Sequence, residues 1–224
     1  MSATLLELRD QIIIDAGVIE DPLFPSTRLN RMINLAQRYV QTNLNGLGMK
    51  KWETSDSLTL ADLAFVGYST VTSNLSVDCP NMLESPNSII FIETTSDTDV
   101  KGLAKEIDTK SFQEQLSNTY LIPTEVKPVF VRLNNKIYIS PVTMASATAY
   151  YYKAVTDLSS DSGETEIPVE FEMFIVEKVV TEIKEILGKL QDKELAQKQL
   201  EADMREAYDK YKEKTKKINN VVLQ

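Results

Sequence analysis

Asp157, Asp161, Glu164 and Glu166 form the densest set of carboxylates beside a turn in this 224-residue chain, and closely spaced carboxylates are what acid/base or magnesium chemistry needs. The set lacks the glycine and the ligand periodicity of a calcium loop. Acids just ahead of a helix are also favoured by its positive end, so two readings stand: a carboxylate-based, metal-dependent enzyme, or a solvated acidic turn. Other chemistry has little to draw on. The chain has no histidine, which removes the commonest general base, the usual serine and cysteine triads and most zinc or iron ligand sets. Its seven glycines build no phosphate-cradling loop. Cys79 is the only cysteine, which excludes an intrachain disulfide and predicts a small buried side chain in a reducing compartment. The residue types therefore nominate no catalytic, cofactor or metal site.

Aromatic side chains are the remaining candidates for recognition. Tyr150, Tyr151 and Tyr152 lie in a strand-like run, whose alternation sends Tyr151 to one face and its two neighbours to the other, so they form no single stacking platform for bases. Trp52 sits where a helical pattern gives way to a β-rich one, a position that predicts packing.

The elements that hold these residues are legible from periodicity. Leu5, Leu8, Ile12 and Ile13 recur on one face of a helix over 3–16, which Gly17 can end in the left-handed conformation. A second helix, capped by Ser26 and running to Asn45 and Gly46, has the stripe Leu29, Ile33, Ala36, Val40 and Leu44. Its other face, with Arg28, Arg31, Asn34, Gln37, Arg38 and Gln41, is expected to be wet or to meet a partner. From Trp52 to Val155 short β-rich runs dominate, among them 57–60, 68–72 and 88–93. The clearest hairpin joins 129–133 to 136–140 through Asn134 and Asn135 and puts Val129, Val131 and Leu133 on one face. Ser111 and Glu114 have capping-box spacing, predicting a short helix over 111–118.

Beyond Glu164 the pattern is helical. Pro168 is predicted as the first helical residue, followed by the stripe Phe171, Phe174, Ile175, Lys178, Val179, Ile183 and Ile186. A break is expected around 188–192, with Asp192 capping a last helix striped by Leu195, Leu200, Met204, Ala207, Tyr208 and Tyr211. The fold class is thus α+β: an N-terminal helical pair and long C-terminal helices forming a helical bundle (1–50 and 164–217), a β-rich, sandwich-like middle insertion (51–160), and a C-terminal tail (218–224).

Charge narrows the partners. A formal net charge of −9 and a pI near 4.7 argue against duplex binding over the whole surface, because affinity for nucleic acid comes from cations neutralising phosphates. The C-terminus is an exception. Lys210, Lys212, Lys214, Lys216 and Lys217 face only Glu213, and Ile218, Val221, Val222 and Leu223 follow with no further charge. Lysines suit the last turns of a helix, and they equally suit an arm that docks on an acidic partner. The N-terminus lacks signal-peptide regions and no apolar run reaches membrane-spanning length, so the protein is expected to be soluble.

Four segments, in order, carry a family likeness: LLELRDQIIIDAG (5–17), STRLNRMINLAQRYV (26–40), KIYISPV (136–142) and AYYYKAVTDLSSDSGETEIPVEF (149–171). The chain resembles the head-to-tail adaptors of short-tailed phages, in the tail tubular protein A group, over most of its length; 58–103, with its acidic insert 96–99, matches least. The resemblance implies a structural virion protein with no catalysis: a homo-oligomeric, dodecameric ring under the portal protein, joining capsid to tail or nozzle proteins. DNA would pass its channel without specific binding. It also implies that the helical part packs between neighbours, making Arg28, Arg31 and Arg38 the candidate inter-subunit face. The arm Lys210, Lys212, Lys214, Lys216, Lys217, Ile218, Val221, Val222 and Leu223 would then dock on portal. A neck or tail-completion protein that never meets portal is the alternative within the same structural class.

Overall fold

The computed structural model describes residues 2–66, 68–83, 88–118, 120–190 and 192–222, with the side chains of 217–222 outside that description. In chain order the elements are α1 (Leu5–Ala16), α2 (Ser26–Gly46), β1 (Glu53–Leu58), β2 (Ala61–Phe65), β3 (Tyr68–Asn74), α3 (Leu75–Asp78), β4 (Ile89–Ser96), β5 (Lys101–Glu106), α4 (Thr109–Ser117), β6 (Val129–Leu133), β7 (Lys136–Ser140), β8 (Met144–Tyr152), α5 (Glu172–Ile186) and α6 (Lys193–Val222). The fold is α+β. The chain forms two compact units, one of residues 1–50 with 155–224 and one of residues 51–154.

In the first unit the four long helices meet through α5, which contacts α1, α2 and α6. Its composition explains that position: Phe174, Ile175, Val176, Val179, Val180 and Ile183 are all buried, so α5 is apolar around most of its circumference. Helix α1 starts at a capping box, with the Thr4 hydroxyl accepting from the Glu7 N–H and the Glu7 carboxylate accepting from the Thr4 N–H at 2.8 Å. It ends at Gly17 with φ of 65°. The predicted stripe of α2 is fully realised, since Leu29, Ile33, Ala36, Val40 and Leu44 are buried.

Several ends differ from the sequence reading. Ser26 is the first helical residue of α2, and Pro25, whose carbonyl accepts from the Arg28 and Leu29 N–H groups, holds the cap position. Pro168 is likewise a cap, ahead of a 3-10 turn over Val169–Phe171. Asp192 does cap α6, accepting from the Leu195 N–H at 2.9 Å. Ile186 and Leu195, expected in the buried stripes, are exposed, because both sit at the helix ends that flank the break around Gly188. Along α6 the core contacts are Leu200, Met204 and Tyr208, then Tyr211, whose ring meets Phe171 edge-on at 5.6 Å.

The second unit is one eight-stranded mixed sheet in the order β1-β8-β4-β5-β6-β7-β3-β2, parallel only between β5 and β6. Leu58 of β1 and Val71 of β3 stand near opposite ends of that order yet share one core cluster with Ile92, Phe130, Ile139 and Tyr151. A single sheet therefore curls over its own core where a sandwich-like arrangement was expected. The opposite face carries Phe65, Val129 and Val131, covered by Phe112 of α4, whose ring meets Phe65 edge-on at 5.1 Å. The β6–β7 hairpin turns at Asn134 with φ of 53°, as its sequence predicts. Helix α4 begins at Asp108, whose carboxylate accepts from the Lys110 and Ser111 N–H groups at 3.0 Å each, ahead of the expected start. An aspartate before the first turn outcompetes a serine inside it.

Among the described residues no helix is long and apolar enough to cross a membrane.

Candidate partner-binding surfaces

The acidic set 157–166 does not converge. Asp157 accepts from Arg38 at 2.9 Å, Asp161 from Arg9 at 3.1 Å, and Glu166 from the Thr156 hydroxyl at 2.6 Å. Glu164 forms a backbone bridge with Thr4. Among the described residues no group of three or more His, Cys, Asp or Glu side chains could hold a metal ion. Asp157 and Asp161 fasten the segment to α2 and α1.

The same fastening corrects the polar face of α2. Gln37 and Gln41 are fully buried. Gln37 accepts from the Thr165 hydroxyl at 2.6 Å and Gln41 accepts from the Val155 N–H at 3.0 Å. Asn34 brackets Leu158, donating to its carbonyl and accepting from its N–H. Gln41 and Asn34 thus pair a loop backbone that would otherwise be left without partners, while Gln37 holds the Thr165 hydroxyl. Of the three arginines, Arg38 is taken by Asp157, and Arg28 lies 5.0 Å over the Phe24 ring while donating to the Leu23 carbonyl. Arg31 is exposed and has no ion pair among the described residues.

On the C-terminal arm, Lys210 pairs with Glu206 at 2.6 Å and Lys214 with Glu170 at 3.3 Å. Lys212 and Lys216 are exposed, with no ion pair among the described residues. The side chains of Lys217, Ile218, Val221 and Val222, and the whole of Leu223, lie outside the described residues, while the backbone is helical through Val222.

In the β-rich unit the tyrosines divide as their alternation requires. Tyr151 enters the core and bonds Asp56; burial together with that carboxylate drives its hydroxyl far above the ordinary range. Tyr150 stacks on Phe91 on the other face, centroids 4.2 Å apart. Trp52 is buried, as a packing residue. Cys79 is buried too, and burial, aided by Asp56 and Asp78, pushes its thiol up to about 11, so it is no nucleophile near neutral pH. A cleft of about 500 Å³ is lined by Asp62, Leu63, Ser69, Thr70, Asp97 and Thr143, but the Thr70 hydroxyl is spent on the Leu63 carbonyl.

What sequence reasoning missed is exposed apolar surface. Tyr120, Leu121, Ile122 and Val126 are all exposed on the loop between α4 and β6. That loop is held in place by Asn118, which accepts from the Tyr120 N–H at 3.0 Å, and by Glu125, which accepts from the Thr98 hydroxyl at 3.0 Å. In the helical unit Ile14, Ile19 and Leu23 are exposed at 66%, 72% and 54% around the carboxyl end of α1. The run of apolar residues in 120–123 was visible, but periodicity searches pass over apolar residues outside a repeating pattern. Where such residues form one contiguous patch, they suit contact with another molecule.

The arrangement offers contact surfaces and helix faces. A family model described as SU10 adaptor protein matches residues 3–221. No curated protein gives a significant match.

Proposed function

The chain belongs to the SU10 adaptor protein family, and from that premise we propose that it forms a ring beneath the portal, joins capsid to tail and extends the DNA channel. It is a phage adaptor and its family is a structural one. In the proposed ring, dodecameric by analogy with related adaptors, the four long helices act as a bundle packed between neighbours, with the arginine face Arg28, Arg31 and Arg38 on that contact. The β-rich unit meets tail or nozzle proteins. A net charge of −9 suits a channel wall, since like-charge repulsion keeps passing DNA from sticking. Assembly takes place in the host cytoplasm and the product resides in the virion neck.

The observation that carries the portal contact is the form of the arm. Helix α6 runs on to Val222, but its last aromatic contact with the rest of its unit is Tyr211 on Phe171. Beyond Tyr211 the sequence is basic and then apolar, the chemistry of a helix that enters an acidic-rimmed groove. Deleting 214–224 tests it, because the Lys214–Glu170 pair removed with the arm is exposed and contributes little to folding. The truncated protein is expected to melt like the full chain and to lose co-sedimentation with portal. If it joins portal normally, the arm has no such role and a neck protein that never meets portal becomes the better reading.

A further inference from the structure

We propose that the carboxyl end of α1 in one copy is the docking surface for the basic face of α6 in a second copy. The proposal rests on the ring reading and specifies the contact that would close it. A ring needs a heterologous contact, in which two different surfaces of the same chain fit each other.

The first surface is apolar and rimmed by acids. Ile14, Ile19 and Leu23 are exposed around the last turn of α1 and the turn after it, and Asp10, Asp15, Glu20 and Asp21 surround them in the sequence. None of the four acids has an ion pair among the described residues, and the last turn of α1 contains no basic residue. A helix terminus that is already negative from its unpaired carbonyls is thus loaded with further negative charge. Glu20 also holds φ of 54°, a left-handed conformation uncommon outside glycine and asparagine. Within its own chain this surface has no ion pair for its four acids among the described residues; the cation beside it, Arg28, donates to the Leu23 carbonyl and not to a carboxylate.

The second surface supplies the counter-charge. Arg205, Lys212 and Lys216 are spaced by seven and four residues along α6, which puts them on one face of the helix; Asp209 lies in line between them and Glu201 one turn before them. All three are exposed and free of ion pairs among the described residues, unlike Lys210 and Lys214. Arginine and lysine bury their aliphatic stems along apolar surface while their charged heads reach outward, so this face can cover isoleucines and pair the carboxylates around them. The portal-directed part of the arm then begins beyond Lys216.

Charge reversal in the full-length protein tests the contact, read by native mass spectrometry and sedimentation with purified portal. One variant carries Asp10→Lys, Asp15→Lys and Glu20→Lys, a second carries Arg205→Glu, Lys212→Glu and Lys216→Glu, and a third carries all six changes. Every position is exposed, so unchanged melting is expected and is checked first. Each single-surface variant should lose ring assembly by roughly tenfold or more at low salt, and the six-fold variant should regain it, because reversing both surfaces restores their attraction. Single-surface variants that assemble like the parent protein overturn the contact and leave the ring reading standing. Loss in the second variant without recovery in the six-fold one also overturns it, and assigns the basic face to portal. If the parent protein forms no ring, the ring reading fails. Carbodiimide cross-linking of isotopically light and heavy copies then judges the contact alone, and an absence of links from Lys212 or Lys216 to these acids between copies ends it.

Discussion

The Thr165 hydroxyl donates to the side-chain oxygen of Gln37 at 2.6 Å, joining two buried residues 128 positions apart in the chain. The bond ties α2 to the segment that returns from the β-rich unit, and neither partner has water to fall back on. Thr165 also accepts from the Ile167 N–H at 3.1 Å, and Gln37 donates to Asn34 at 3.0 Å.

Gln37→Leu is therefore expected to cost about 1–3 kcal/mol, and Thr165→Val somewhat more because it also strands a backbone donor. The double variant should cost less than the sum, since the hydroxyl and the amide no longer strand each other. Urea unfolding with hydrogen exchange in α2 measures all three, and strictly additive losses would mean that the two side chains are not coupled.

Gly102 has no room for a side chain. A Cβ there would lie 2.5 Å from the Glu125 carbonyl oxygen and 2.8 Å from Pro128 Cδ, atoms of the loop that presents Leu121, Ile122 and Val126. Gly102→Ala should cost about 1–3 kcal/mol of β-unit stability and raise hydrogen exchange across 121–127, the signature of an overpacked contact. Unchanged exchange in that loop would show that it is not braced there.

Much of this was readable in the sequence wherever one residue decides the backbone. Gly17 ends α1, Asn134 turns the hairpin and Asp192 starts α6, each because few other residues meet the local requirement. Buried stripes were readable for the same reason, as in α2. Strands β2 and β5 were not: Lys-Gly-Leu-Ala-Lys-Glu has little β propensity, and β5 exists because β4 and β6 hold it on either side. The amides Gln37 and Gln41, expected to be wet or to meet a partner, are buried against their own chain, since a polar residue opposite an apolar stripe gives no sign that a distant loop needs its hydrogen bonds. The acidic residues 157–166 posed the same problem, their partners Arg9 and Arg38 lying on α1 and α2. Contact surfaces left the weakest trace.

Two carboxylates should give pH dependences of opposite sign. Hydrogen bonds from Ser111, then from the Lys110 N–H, hold Asp108 below its ordinary value of 3.8, so its contribution is complete above that value and is lost as pH falls through the depressed one. Burial, with Glu7 and Glu164 nearby, raises Glu172 above its ordinary 4.5, so its charged form costs stability at neutral pH and the cost is relieved as pH falls through the raised value. Asp108→Ala should thus be most damaging at neutral pH, with its deficit closing in strong acid. Glu172→Gln, which keeps an acceptor for the Ala3 N–H, should be neutral or stabilising at pH 7 and should lose its advantage on acidification. Melting curves of both variants across pH check the signs, and parallel curves would contradict them.

We propose that this chain works by fitting against copies of itself and its neighbours in the phage neck. Native mass spectrometry of the full-length protein mixed with purified portal addresses it most directly. A closed ring of copies bound to portal is expected, and a protein that stays strictly monomeric and unbound with portal present would contradict it.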